Sequence, residues 1–284
     1  MTSSPDVARD ALVEGLGRMK GAAAGAELGR LASGVIDDRR KVAEALANHP
    51  ERADNLKRLA RDPDPGVRAN AAWSLGTAGK RDAVPLLSPM LHDPDIAVAG
   101  NAAAALGRVS VRERDASAAA ALCAALADGR PYVRANALVA LGAMGAACDA
   151  HPPRDALARD PSESVRVAAA DWLGKSIARS KGAASDADRR ALLRCTTEDK
   201  SATVADACVA ALSPRAAGAE KPRSDVQVFV VPDGKNAPTP RAPFALVRAD
   251  GFLRLGVADR RGAVLELAVP DGTLRLAVPA ALAR

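Results

Sequence analysis

Aromatic residues are nearly missing from this chain of 284 residues: phenylalanine, tyrosine and tryptophan together make up 2% of it. Hydrophobic residues nevertheless reach 48%. Alanine supplies much of that count, so helices can approach one another closely. Cysteine is also scarce, and four residues are too few for a disulfide-built scaffold. Cys123, Cys195 and Cys208 fall within helical stripes and read as small buried apolar residues. Cys148 and His151 form a lone C-x-x-H with no second pair of ligands, so no metal site is expected. The three histidines, His49, His92 and His151, stand at or near turns of different segments. No Ser or Cys nucleophile shares a motif with them. No Walker sequence, GxGxxG after a strand or HExxH is present. The chain is therefore expected to be non-enzymatic and to need no cofactor. No stretch approaches the roughly 18 apolar residues of a membrane span. The opening Met-Thr-Ser-Ser-Pro-Asp lacks the basic and apolar regions of a signal peptide, so the expected location is the cytoplasm.

Net charge is +6, which invites a nucleic-acid reading. Its distribution argues against one. Residues 1–213 hold 29 Lys/Arg against 27 Asp/Glu, and residues 214–284 hold 11 against 7. A nucleic-acid groove needs a basic stripe on one face, and the long first part is close to neutral.

What is present is repetition. Three segments nearly superimpose: DPDPGVRANAAWSLG from Asp62, DGRPYVRANALVALG from Asp128 and DPSESVRVAAADWLG from Asp160. Four weaker copies bring the total to seven. Alignment gives one column of Arg9, Arg39, Arg68, Ala99, Arg134, Arg166 and Ala205, and seven residues later an unbroken leucine column from Leu16 to Leu212. The next column is Gly17, Ala47, Gly76, Gly107, Gly142, Gly174 and Ser213. The spacing of 29 to 39 residues suits stacked supersecondary units. Val67, Ala71, Ser74 and Leu75 share one helical face. Asp64 or Ser162 stands where an N-cap belongs, with Pro65 or Pro131 at the first helical position. The glycine after Leu75 or Leu141 suits a C-terminal cap. A second apolar stripe precedes most copies, so each unit is two antiparallel helices that bury their apolar faces only by stacking. The first copy begins directly on a second-type helix, from about Pro5 to Met19. This suggests repeats upstream, or self-association through an exposed N-terminal repeat.

The signature D-P-D/S-x-x-V-R-x-x-A-A-x-x-L-G resembles the HEAT-repeat family, in the short form found in phycobilisome-lyase proteins. The resemblance spans roughly residues 5 to 213. It departs from the pattern at Ala99, at the first two copies and the last, and at Asp38, which replaces the expected Val. It implies an all-α solenoid with the second helices lining a concave face.

After Ser213 the repeat fails, and residues 214–224 read as a linker. The period then becomes two, with Val226, Val228 and Val230 alternating. Short strands are predicted near Phe244–Arg248, Phe252–Val257, Ala263–Ala268 and Thr273–Val278, separated by turn signals. The Pro-rich 234–243 stretch reads as a long exposed loop. Residues 225–284 are thus expected to form a small β-sandwich-like module. Its tail resembles carboxypeptidase-regulatory, transthyretin-like sandwiches, with Asp259 and Gly262 matching and Ala258 departing from the usual Thr. Such modules are accessory, which implies no catalytic role.

Candidate partner-binding residues lie three and six positions after the Val column. The first set is Asn70, Asn101 and Asn136, which could hydrogen-bond an extended peptide or form a structural ladder. The second includes Trp73, Val139 and Asp171, with Trp73 as an interface anchor or as core packed over the Ala102–Ala105 segment. Arg68, Arg134 and Arg166 could recognise acidic groups or pair with turn aspartates such as Asp62, Asp93, Asp128 or Asp160. The reading favoured is a scaffold holding a protein or peptide segment, acidic in part, along its concave face. Two enzyme-type alternatives share this architecture. Bilin-lyase subunits use the short repeat, and helical-repeat DNA glycosylases place an Asp among tryptophans, as Asp171, Trp172 and Trp73 superficially suggest.

Overall fold

The computed structural model describes residues 5–149, 153–180, 183–213, 223–232, 234–270 and 272–278. His151 and most of the predicted linker lie outside these residues. Thirteen α-helices are found among them. The first is α1 (Pro5–Arg18). Six pairs follow: α2 (Ala22–Leu31) with α3 (Ile36–Ala45), α4 (Ala53–Leu59) with α5 (Pro65–Ala78), α6 (Val84–Met90) with α7 (Ile96–Glu113), α8 (Ala119–Ala125) with α9 (Pro131–Met144), α10 (Pro153–Arg159) with α11 (Glu163–Arg179), and α12 (Ala183–Glu198) with α13 (Ala202–Leu212). The second helix of every pair packs closely on the second helix of the next, whereas most first helices touch chiefly their own partner. The stack therefore bends with α1, α3, α5, α7, α9, α11 and α13 on the inside.

Local chemistry starts these helices as the sequence predicts in most cases. The Asp64 carboxylate accepts from the Val67 N–H at 2.9 Å, and Asp95 accepts from Ala97 and Val98. Pro65 and Pro131 open α5 and α9. Ser162 makes no cap bond; its hydroxyl faces that of Ser164.

The glycine column is not a set of caps. Gly76 and Gly142 lie inside α5 and α9. The column marks close approach of one second helix to the next. A Cβ at Gly17 would stand 2.8 Å from the Ala45 Cβ, one at Gly107 2.5 Å from the Ala140 Cβ, and one at Gly174 2.9 Å from the Ala211 carbonyl oxygen. At Gly142 it would press on Trp172. The left-handed cap of α9 is Gly145, with φ 71°.

The cysteines also depart from expectation. Cys123 pairs with Cys148, and Cys195 with Cys208. Their Cα atoms are 5.7 and 6.2 Å apart, within the range a disulfide spans. Their sequence separations, 25 and 13 residues, fit no scaffold motif, which is why the pairing was not legible.

The arginine column forms a ladder of ion pairs. Arg39 grips Asp62, Arg68 grips Asp93, Arg134 grips Asp160 and Arg166 grips Asp199, each through two nitrogens at 2.7–3.0 Å. Each aspartate also accepts the backbone N–H two residues on, which folds the turn between paired helices. Where the column holds Ala99, the next turn aspartate, Asp128, is held instead by Arg130 from its own turn.

Five strands follow: β1 (Arg223–Phe229), β2 (Pro243–Val247), β3 (Leu253–Val257), β4 (Ala263–Pro270) and β5 (Arg275–Ala277). They form two small antiparallel sheets, β1-β4 and β3-β2-β5. β1 begins inside the segment predicted to be linker. Phe252, Leu253, Leu255 and Ala245 belong to the same buried cluster as the solenoid helices, while Phe244, Leu246 and Val264 form a smaller core of the β region itself. The β region therefore does not trail behind the solenoid: it lies against its second helices.

Candidate functional site: a strand seated on the second helices

The antiparallel ladder decides which backbone groups of β3 are left for the helices. Arg248 N–H donates to Phe252 O, and Ala258 N–H to Ala242 O. Hydrogen-bonded pairs alternate along an antiparallel ladder, so residues 252, 254, 256 and 258 face β2. Leu253 and Leu255 point their N–H and C=O the other way, toward α7 and α9. In an ordinary sheet these would need another strand. Here asparagine side chains take its place. Asn136 donates to Leu253 O and accepts from Leu253 N–H, both at 2.9 Å. Asn101 donates to Leu255 O and accepts from Leu255 N–H, both at 3.0 Å. The second amide hydrogen of each goes to the preceding repeat: Asn101 to Ala69 O, Asn136 to Gly100 O. The asparagine column thus ladders one repeat to the next and, with the same side chains, pairs an extended segment. The extended segment belongs to this chain.

The column continues toward the N-terminus with different chemistry. Asn70 donates to Arg40 O and accepts from Arg254, at 3.1 Å. One repeat earlier the position is Lys41, whose ammonium reaches Glu44 at 2.7 Å and Asp259 at 3.2 Å. Burial disfavours its charge, but Glu44 and Asp259 outweigh that and hold its pKa above the ordinary lysine value. In the last two repeats the position is Ala168 and Ala207, which can make no such bonds.

Three residues further on, the column reads Glu14, Glu44, Trp73, Ala104, Val139 and Asp171. Glu44 is the centre of a buried ion network. It accepts from Arg254 at 2.8 Å, from Lys41 and from the Leu265 N–H. Arg254, 1% exposed, also binds Glu266, which is fully buried, and the Leu265 carbonyl. Arg248 adds an ion pair to Glu266 at 3.5 Å. Glu14 receives Arg261 and Gln227. Arg260, on the turn between β3 and β4, reaches Asp10 at 2.6 Å and Asp38 at 3.0 Å. Asp38 is the residue that breaks the repeat signature, and its carboxylate is buried between Arg9 and Arg260. These two aspartates and their hydrogen bonds hold the Arg260 guanidinium above its usual pKa.

Trp73 is core. It is buried, with the Arg108 guanidinium 3.9 Å over its ring and Arg248 on it at 5.5 Å. Burial, reinforced by nearby Arg248, pushes Arg108 down to about 9.

The proposed partner-binding residues therefore fall into three groups. Asn70, Asn101, Asn136 and Trp73 converge under the β region and are closed to an outside partner while it is seated. Arg68, Arg134 and Arg166 are engaged with turn aspartates, the second of the two roles open to them. Asp171 lies three repeats from Trp73 and is paired with Lys175 at 2.6 Å. Trp172 packs on Gly142, so the glycosylase-like trio does not assemble. The residues missed from sequence are Lys41, Glu14, Glu44, Asp10 and Asp38. The signal was there: charges at column positions in copies that otherwise read as degenerate. Among the described residues no cluster of three metal-ligating side chains occurs, and no helix is long and apolar enough to cross a membrane.

A family model for HEAT repeats matches residues 53–142. No curated protein matches the chain significantly. Among solved structures, YibA of Escherichia coli is 17% identical, covering 75% of this chain and 76% of its own, with a TM-score of 0.53. The complex of CpcE and CpcF of phycocyanin lyase from Nostoc sp. PCC7120 aligns over 69% of this chain and 77% of its own, at 21% identity and a TM-score of 0.48. A designed armadillo repeat protein in complex with the peptide (KR)4 aligns over 72% and 99%, at 19% identity and a TM-score of 0.43. What stands where the transthyretin-like pattern was expected is a small antiparallel β region. Residues 53–142 match HEAT repeats, and they lie within an all-α solenoid that is followed by that β region.

Proposed function

We propose that this protein is a non-enzymatic interaction scaffold whose inner face is a seat for an extended strand, filled in the resting molecule by its own β3. The observation that supports this is the two-bond pairing of Asn101 and Asn136 with alternate backbone units of one strand. Such pairing reads main chain rather than side chain, so a partner segment in extended form can use the same seat. The carboxylates of Glu14 and Glu44 beside it suit a segment carrying arginine, in place of the acidic partner expected from sequence. The buried ion pairs do not prevent exchange. The charges regain water when β3 leaves, and such networks fix register more than they add stability. Paired cysteines favour an oxidising compartment over the cytoplasm.

The test uses the full chain and a labelled peptide with the sequence of residues 250–259. Tethering gives the resident strand an effective concentration of about millimolar, so the wild type is expected to ignore micromolar peptide. Leu253→Pro removes the N–H that Asn136 accepts, and should open the seat to the peptide. A Leu253→Pro protein that keeps its helical circular dichroism yet fails to bind the peptide would count against the proposal.

A further inference from the structure

The sequence seated on the asparagines occurs twice. β3 and its flanks read Phe252-Leu253-Arg254-Leu255-Gly256-Val257; β5 and its flanks read Thr273-Leu274-Arg275-Leu276-Ala277-Val278. Both pair antiparallel with β2, on opposite sides of it. β2 uses residues 242, 244, 246 and 248 toward β3, so Ala245 and Val247 face β5, opposite Ala277 and Arg275. Leu274, Leu276 and Val278 then turn their N–H and C=O outward. These outward positions match Leu253, Leu255 and Val257 of β3. On β3 two of the three are satisfied by Asn136 and Asn101. On β5 no described side chain does the same. Leu276 is 37% exposed, and Arg275 and Ala277 are also exposed. The protection of this edge is limited to the short length of β5 and the charge of Arg275; no proline, lysine or bulge lies within Leu274–Val278.

We infer that the β5 edge pairs with β5 of a second copy of this chain, joining two β3-β2-β5 sheets into one across a twofold axis. The occupant follows from self-complementarity. A twofold centred on Leu276 sets Leu276 opposite its own counterpart, Leu274 opposite Val278, and Arg275 opposite Ala277. Every outward pair is then apolar on apolar, and the two arginines do not meet, as cross-strand pairing requires. The seat on the helices is not used, so this contact is independent of the function proposed above. A contact of one short strand is small, and the dimer is correspondingly weak.

The experiment is sedimentation equilibrium of the full chain between about 10 µM and about 1 mM, the range in which so small an interface should associate. The weight-average mass should rise toward twice that of one chain. Leu276→Lys and Leu276→Glu should each remain monomeric, because each opposes itself across the axis. An equimolar mixture of the two should associate again. Leu276→Pro, which removes an outward N–H but leaves the β2 bonds of Arg275 and Ala277, should also be monomeric. A wild type monomeric throughout overturns the inference, as does a dimer that survives these substitutions, for example by exchange of β3 between seats. Failure of the mixture to associate overturns the twofold register.

Discussion

Asn136 and Leu253 lie 117 residues apart in sequence and exchange two hydrogen bonds, both at 2.9 Å. Asn101 repeats the arrangement with Leu255 one repeat earlier. Helix side chains thus stand in for the missing neighbour of a β-strand, and the inner face of the solenoid becomes a sheet partner.

Removing these amides should be costly. In Asn101→Ala/Asn136→Ala the N–H and C=O of Leu253 and Leu255 stay buried without partners, at about 1–3 kcal/mol for each unsatisfied group. Chemical denaturation should show a loss of several kcal/mol. A double variant as stable as the wild type would show that water or other groups replace the amides.

Glu44 binds Arg254 and Lys41 at once, and all three are buried. Glu44→Ala leaves two cations facing a single remaining set of carboxylates, and truncating one partner of such a network costs about 3–5 kcal/mol. Glu27→Ala, at an exposed pair with Arg30 on α2, should change nothing measurable. Equal effects of the two would remove Glu44 from the centre of the seat.

Acid should loosen the repeat ladder. The Arg166 hydrogen bond holds Asp199, and the Arg130 hydrogen bond holds Asp128, below the ordinary 3.8. At Asp62 burial acts upward, but Arg39 and the turn N–H outweigh it, and the net shift is again down. A carboxylate with a lowered folded pKa adds stability that is complete above its unfolded value and fades as pH falls through the folded one. Stability to urea should therefore be level from neutrality down to about pH 5 and decline below pH 4. Asp199→Asn should reduce that decline; a decline beginning near pH 6 would point to histidine instead.

One disulfide staples a repeat that the β region does not clamp, and the other staples the repeat of α8 and α9, which it does. β3 sits on α5, α7 and α9, whereas Cys195–Cys208 ties α12 to α13 and Cys123–Cys148 ties α8 to the loop after α9. Loops of this length correspond to about 3 kcal/mol each. Under a dithiol reductant, amide exchange should quicken in α12 and α13 and stay unchanged at Asn70 and Asn101. Cys123 and Cys148 are partly exposed while Cys195 and Cys208 are buried, so the first pair should be alkylated first. Uniform loosening along the chain would show that the two halves are not independent.

How much of this could be read from residues alone differs by element. The helix pairs, their caps at Asp64 and their aspartate ladder follow from local spacing, and a repeat reports that seven times over. The strands at Phe244, Leu253 and Ala263 follow from alternation and turns. The docking of one on the other does not, because a strand that alternates Leu-Arg-Leu gives no sign of what its edge will meet. Asn101 and Asn136 are visible as a column that fits a structural ladder or an extended peptide, but nothing in the column says that the extended segment is a strand of the same chain. Lys41, Glu44 and Asp38 were hidden by the same degeneracy that makes them functional: they break the repeat because they serve the β region. Gly76 and Gly142 looked like caps because a helix end and a close helix contact both exclude a Cβ.

β3 is held by the asparagines of the solenoid. Amide hydrogen exchange at Leu253 and Leu255 in the full chain tests it most directly, run at about 1 µM, where an interface as small as the β5 edge stays open, with Leu276 as the outward-facing edge reference. Both amides should be strongly protected relative to Leu276, and that protection should collapse at Leu253 in Asn136→Ala and at Leu255 in Asn101→Ala. Exchange of Leu253 and Leu255 as fast as Leu276 in the wild type, or protection indifferent to both substitutions, would contradict it.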